Sequence, residues 1–101
     1  MTWGVTMDVP EPVELYDSVH RALLERTDGV VDGLLVHLAR QTGDGFQVVE
    51  VWESREDFER YSAEIVGPVA TEVLHGRPRR PTVVTPFAVR GLVLPRAGIA
   101  V

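Results

Sequence analysis

The stretch VVEVWESREDFERYSAEIVGP, residues 48–68, constrains the fold more than any other part of the chain. Its valine-rich start ends on Trp52, as a strand would. Ser54 then precedes Asp57 by three residues, close to a capping box. Phe58, Tyr61, Ser62 and Ile65 follow at helical spacing. A strand therefore turns at once into a capped helix. Gly67-Pro68 predicts a break in that helix, with Val69, Ala70, Val73 and Leu74 allowing one or two more turns before Gly76.

The remaining elements fall on either side of this junction. Trp3, Val5 and Met7 alternate over residues 2–7, which predicts a first strand. Pro12 suits a first helical position, and Leu15, Val19, Ala22 and Leu23 form a helical stripe over 13–26, widened by Tyr16. Gly29 is expected to stop that helix. Leu34 to Thr42 reads as a second strand, and TGDG (42–45) carries the Asp-Gly of a hairpin, so Phe46 to Glu53 should return antiparallel. PTVVTPFAVRGLVLP (81–95) reads as a last strand, with Pro86 and Gly91 suggesting an edge or a bulge. The tail, 95–101, is expected to fray or to lie on a partner. The order is β-α-β-β-α-β, an α+β, ferredoxin-like arrangement with a four-stranded antiparallel sheet and both helices on one face.

Composition narrows the functional classes. A chain of 101 residues is expected to form a single domain over 1–101. It contains no run of 18 apolar residues and no basic start followed by an apolar segment, so no membrane span or secretory signal is expected. With no cysteine, a cytoplasmic setting is expected, and thiol nucleophiles and Cys-based metal sites are excluded. All ten basic residues are arginine, and the chain has no lysine or asparagine. A Schiff-base lysine is thereby excluded. The net charge of −5 argues against a nucleic-acid partner, and HGRPRRP (75–81) reads as a solvated connection. His20, His37 and His75 show no metal-ligand spacing, so no metal site is expected.

The strands are apolar on both faces. In the third, Gln47, Val49 and Val51 oppose Phe46, Val48, Glu50 and Trp52. In the second, Leu34, Val36 and Leu38 oppose Leu35, His37 and Ala39. A sheet wetted on one side should alternate cleanly, and this one does not. A homodimer packed open face to open face answers that problem. Between the sheets it could enclose an apolar cavity holding Glu50, Trp52 and His37.

The βαββαβ order, with EVWESREDFERY at the junction of the third strand and second helix, resembles the dimeric α/β-barrel superfamily. Within it the chain is most similar to the antibiotic biosynthesis monooxygenase (ABM) group over residues 2–93. The resemblance implies a homodimer with a pocket between sheet and helices. It also implies a cofactor-independent, monooxygenase-like enzyme acting on a small hydrophobic aromatic or polyketide-like metabolite. Substrates such as anthrones lose a proton, and the resulting carbanion reacts with oxygen directly, without metal or flavin. Trp52 matches the pocket tryptophan of such enzymes. Their asparagine partner is replaced here by Val48, and the aromatic of the next helix is Phe58, without a hydroxyl. In the haem-degrading branch a helix-two histidine ligates iron. His75 could be cast in that role, but it reads equally as a helix C-terminus.

Several residues carry alternatives. Trp52 serves either as packing or as a pocket wall. Glu50 is either paired with an arginine such as Arg40 or Arg90 or is a desolvated carboxylate able to act as a base. His37 is either a satisfied core histidine or the base. The catalytic candidates are thus His37, Glu50 and Trp52, with Phe46, Val48, Phe58, Tyr61 and Arg90 as substrate contacts. His20 reads as surface. The alternative functions are a non-catalytic ligand-binding or structural homodimer, or a cyclase or isomerase of the same superfamily.

Overall fold

The computed structural model describes residues 2–101. Strand β1 (Trp3–Val9), helix α1 (Val13–Thr27), strands β2 (Leu34–Gln41) and β3 (Phe46–Trp52), helices α2 (Arg55–Tyr61) and α3 (Gly67–Val73), and strand β4 (Val83–Ala88) follow in that order. The sheet order is β2-β3-β1-β4, with every neighbouring pair antiparallel. This is the α+β, ferredoxin-like arrangement expected from the sequence.

Register explains where the core lies. Val5 stands opposite Glu50, Met7 opposite Val48 and Val9 opposite Phe46, while His37 stands opposite Glu50 on the other side of β3. Alternation puts these side chains on one face. Tyr16 of α1 meets Phe46 and His37 there, and Phe58 and Tyr61 from the second helical region meet Trp52. Both helical layers therefore cover the same face. Val5, Val9, Phe46, Val48 and Trp52 of the sheet are buried beneath them, against Val69 and Ala70 on the inner side of α3. A register slip between Leu34 and Val36 bulges β2, so that Leu34 stands opposite Trp52 while Val36 and Leu38 stand opposite Val51 and Val49 on the far face.

The far face carries Val36, Leu38 and Arg40 from β2, and Gln47, Val49 and Val51 from β3. Gly4, Thr6 and Asp8 come from β1, and Val83, Thr85 and Phe87 from β4. The Phe87 ring lies directly over Gly4, where any Cβ would collide with it. Leu38, Val83 and Phe87 are exposed. Arg40 Nε donates to Gln47 Oε1 at 3.0 Å, and Gln47 Nε2 donates to Asp8 Oδ1 at 3.1 Å, forming a polar border along one end of this face.

Three expectations from the sequence are corrected. Gly67-Pro68 does not end the second helix. Residues Ser62–Val66 form a π-helical turn, closed by Gly67 N–H donating to Ser62 O, and α3 continues with Pro68 in its first turn. Proline lacks an N–H and crowds the carbonyl four residues back, and widening the turn relieves both problems without a break. Secondly, 81–95 is not one strand. After the edge strand β4, Val93–Leu94 (β5) pairs antiparallel with Ile99–Ala100 (β6) around a short 3₁₀ turn. The tail is thus ordered on its own chain, with Leu92 and Val101 exchanging both backbone hydrogen bonds at 2.7 Å. Thirdly, the left-handed stop of α1 begins at Asp28 (φ 55°), one residue before Gly29. Asp tolerates that conformation better than most residues.

Candidate functional site

The site starts at the end of β3. Glu50 is a carboxylate 5% exposed in mid-strand, a placement that is costly unless hydrogen bonds replace the lost water. Two donors do so. Trp52 Nε1–H donates to Oε1 at 3.1 Å, and His37 Nδ1 lies 2.6 Å from Oε2. The first donor is two residues along the same strand and hence on the same face. The second sits opposite Glu50 in the β2–β3 register.

A fourth group extends the chain outward. His37 Nε2 lies 2.8 Å from the Tyr16 hydroxyl. Trp52, Glu50, His37 and Tyr16 therefore form one hydrogen-bonded line from the fully buried indole to the half-buried phenol on α1. The His37 side chain retains 25% exposure, and β2 is an edge strand. His20, one turn after Tyr16 on α1, completes a stack. Its ring lies 5.2 Å from Tyr16 and 5.6 Å from His37, within 15° of parallel to both. His20 is therefore half-buried in this group and not a surface residue, and it meets His37 despite their distance in sequence.

Burial, then the charge of Glu50, then that of Asp17 raise the Tyr16 pKa above the ordinary phenol value of 10.0. Burial and the Glu50 charge do the same to Tyr61. Both hydroxyls thus keep their protons at neutral pH and act as donors there.

The remaining sequence candidates distribute as follows. Phe58 packs edge-on against Trp52 at 6.0 Å, and Tyr61 lies tilted at 5.6 Å from it. Trp3 lies 5.1 Å from Phe58, with the Arg55 guanidinium over its outer side. Phe46 and Val48 are buried with Val9 in a cluster that Tyr16, Met7, Val13 and Ala39 close. They support the Tyr16 ring from beneath. Arg90 is exposed past the end of β4. The expected Glu50–arginine pair is replaced by the His37 and Trp52 contacts, because Arg40 lies on the far face with Gln47. A cavity between facing sheets holding Glu50, Trp52 and His37 is likewise corrected, since all three point toward the helices. His75 sits at the helix end in a left-handed conformation (φ 54°), exposed.

Two clefts open on the helical side. One, about 470 Å³, lies between α1 and α3 and is lined by Ala22, Arg26, Val69 and Glu72, among others. The other, about 190 Å³, is lined by Thr27, Val31, Asp57, Tyr61 and Ile65, among others. Tyr61 thus joins the second cleft to the Trp52 side of the hydrogen-bonded line. Tyr16 and His20 escaped sequence reasoning as functional candidates. Their i, i+4 spacing on the apolar side of α1 was the available signal.

Comparison with solved structures shows that the fold recurs in other proteins. A candidate antibiotic biosynthesis monooxygenase from Caulobacter crescentus CB15 superposes with a TM-score of 0.66 at 16% identity, covering 88% of this chain and 91% of its own. A conserved protein from Methanosarcina mazei Go1 gives 0.64 at 12% identity, covering 86% and 91%. The chain has the fold of the ABM-like ferredoxin-fold proteins. A dimeric ferredoxin-like protein of unknown function from Thermobifida fusca YX also shares it, with a TM-score of 0.61, 14% identity and coverage of 88% and 92%. No protein-family model matches the sequence, and no curated protein matches it significantly. Among the described residues, no helix is long and apolar enough to cross a membrane.

Proposed function

We propose that this protein is an acid–base enzyme working as a homodimer, which removes a proton from a small hydrophobic aromatic or polyketide-like metabolite in a cofactor-independent, monooxygenase-like reaction. The observation that carries this reading is the hold of Glu50 on His37, at 2.6 Å in a nearly dry setting. A carboxylate that orients an imidazole and stabilises its cation turns histidine into an effective base. Trp52 fixes the other carboxylate oxygen, so the pair is rigid before substrate arrives. The indole itself does no proton transfer. It positions Glu50, and Phe58 and Tyr61 pack around it.

His37 takes the proton in this reading, and Glu50 remains the acceptor of the Nδ1 hydrogen bond throughout. The anion left on the substrate is the species that reacts with oxygen in the enzymes this fold resembles. Phe46 and Val48 form the floor under the reacting group, and Arg90, beyond the opposite edge strand β4, has no part in it. The test is turnover of anthrone-type and other enolisable aromatic ketones, followed as product formed and oxygen consumed. His37→Gln and Glu50→Gln should each abolish turnover while leaving the circular dichroism spectrum and the oligomeric state unchanged. Undiminished turnover by both variants would sink the assignment.

A second reading rests on a separate observation. Trp52 is fully buried under Phe58 and Tyr61, and neither cleft on the helical side includes His37. A ligand-binding or structural dimer would use the same contacts for packing alone. Ligand-induced thermal stabilisation with no product from any ketone would favour it.

A further inference from the structure

We infer that Tyr16, rather than His37, is the group that meets the substrate, and that it passes a proton to His37 without itself ionising. This rests on the acid–base reading above and names the residue through which it works. Both ring nitrogens of His37 are already engaged. Nδ1 faces Glu50 Oε2 at 2.6 Å, and Nε2 faces the Tyr16 hydroxyl at 2.8 Å. A carboxylate only accepts, so in the neutral ring the proton sits on Nδ1 and Nε2 is an acceptor. The Tyr16 O–H then donates to Nε2. No substrate can bond Nε2 without first displacing Tyr16, and Nδ1 is held by Glu50.

The phenol oxygen is differently placed. It keeps lone-pair capacity beyond its bond to His37, and it belongs to the half-buried end of a line whose other end is fully buried. As an acidic X–H of the substrate approaches that oxygen, the existing Tyr16 proton moves to Nε2. The X–H bond breaks and a new O–H bond forms on Tyr16. The electron pair stays on X, so the products are a substrate anion and an imidazolium, with Nδ1–H still on Glu50. No oxidant or co-reactant enters the step. Tyr16 begins and ends neutral, and its new O–H points at the anion it has just helped to make.

This sequence fits the surroundings of the phenol. Burial and the charges of Glu50 and Asp17 make Tyr16 harder to ionise. That would handicap a tyrosinate base, but it does not hinder a shuttle that is never charged. The imidazolium has the opposite environment, with a buried carboxylate in contact. Tyr16, His20 and His37 also present rings within 15° of parallel. A planar phenol or enolisable aromatic ketone is the substrate class such plates would align.

Para-nitrophenol is a suitable probe, because its anion is coloured and its acidic O–H mimics the proton to be removed. It would be mixed with the full chain at a pH where it is mostly neutral in solution, and phenolate absorbance recorded. Wild-type protein is expected to raise the ionised fraction, and Tyr16→Phe and His37→Gln are each expected to lose that rise. Full ionisation by Tyr16→Phe, with none by His37→Gln, would overturn the shuttle and leave His37 as the direct base. No ionisation by the wild type would overturn both. Nitrogen–proton correlation NMR of the ligand-free wild type gives a check that needs no variant. The expected His37 pattern is a protonated Nδ1 and a bare Nε2, and a resting Nε2–H would overturn the shuttle.

Discussion

Glu50 shows how one residue can hold several others in place. Its two oxygens accept from Trp52 and His37, so removing the carboxylate strands two donors in a dry place. We expect Glu50→Ala to cost about 1–3 kcal/mol for each donor left without a partner, read from the urea midpoint. Glu50→Gln should cost less, since its amide oxygen can still accept one of the two bonds. The tyrosines give a pH signature of the opposite sign to that of a salt-bridged carboxylate. Tyr16 and Tyr61 have folded-state pKa values raised above 10.0, so the native state holds protons that the unfolded chain releases first. Their contribution is fully present below the unfolded value and is lost as pH rises through the folded one. The melting temperature should therefore fall as the pH rises past 10.0, and fall less steeply in the Tyr16→Phe and Tyr61→Phe double variant.

At the scale of elements, close approach matters more than propensity. The hairpin between β2 and β3 contains two glycines with different duties. At Gly43 a Cβ would meet nothing, whereas at Gly45 it would land on the backbone carbonyl oxygens of Val9 and Glu11. Gly45→Ala should therefore destabilise the protein markedly, by about 1–3 kcal/mol as for other overpacked sites. Gly43→Ala should fall within about 0.5 kcal/mol of wild type. Paired denaturation curves decide this. The capping of α2 shows the complementary case, in which local chemistry suffices. Ser54 Oγ accepts the Asp57 backbone N–H at 3.2 Å, the contact its spacing promised. The π-helical turn at Ser62–Val66 was not legible in the same way, because proline at 68 signals a break equally well. Only the packing of Val69 and Ala70 against the core shows that continuing the helix was worth a distorted turn.

At the scale of the whole molecule, the far sheet face is the unsettled surface. Leu38 is 48% exposed and Phe87 39%, with Val36, Val49 and Val51 beside them on the same face. Monomeric proteins rarely leave such apolar faces in water. If two copies bury this face against each other, Leu38→Glu should shift the protein from dimer to monomer in sedimentation velocity while the single-chain spectrum is retained. A variant that stays dimeric would place the interface elsewhere.

The sequence by itself determined the order of elements, the hairpin at Asp44-Gly45, the cap at Ser54 and the two-sided apolar character of the strands. Each of these depends on residues within a few positions of one another, where backbone geometry and side-chain period act directly. Trp52 and Glu50 were legible as one unit for the same reason, because strand alternation puts residues two apart on one face. Only the tertiary structure decided which partner neutralises the burial of Glu50. Arg40 and His37 both lie on β2, and a shift of one residue exchanges the faces of that strand. The bulge between Leu34 and Val36 and the register against β3 put His37 inward and Arg40 outward. The contribution of Tyr16 and His20 lay further out of reach. It depends on how α1 sits across the sheet, and that placement follows from the whole core closing at once.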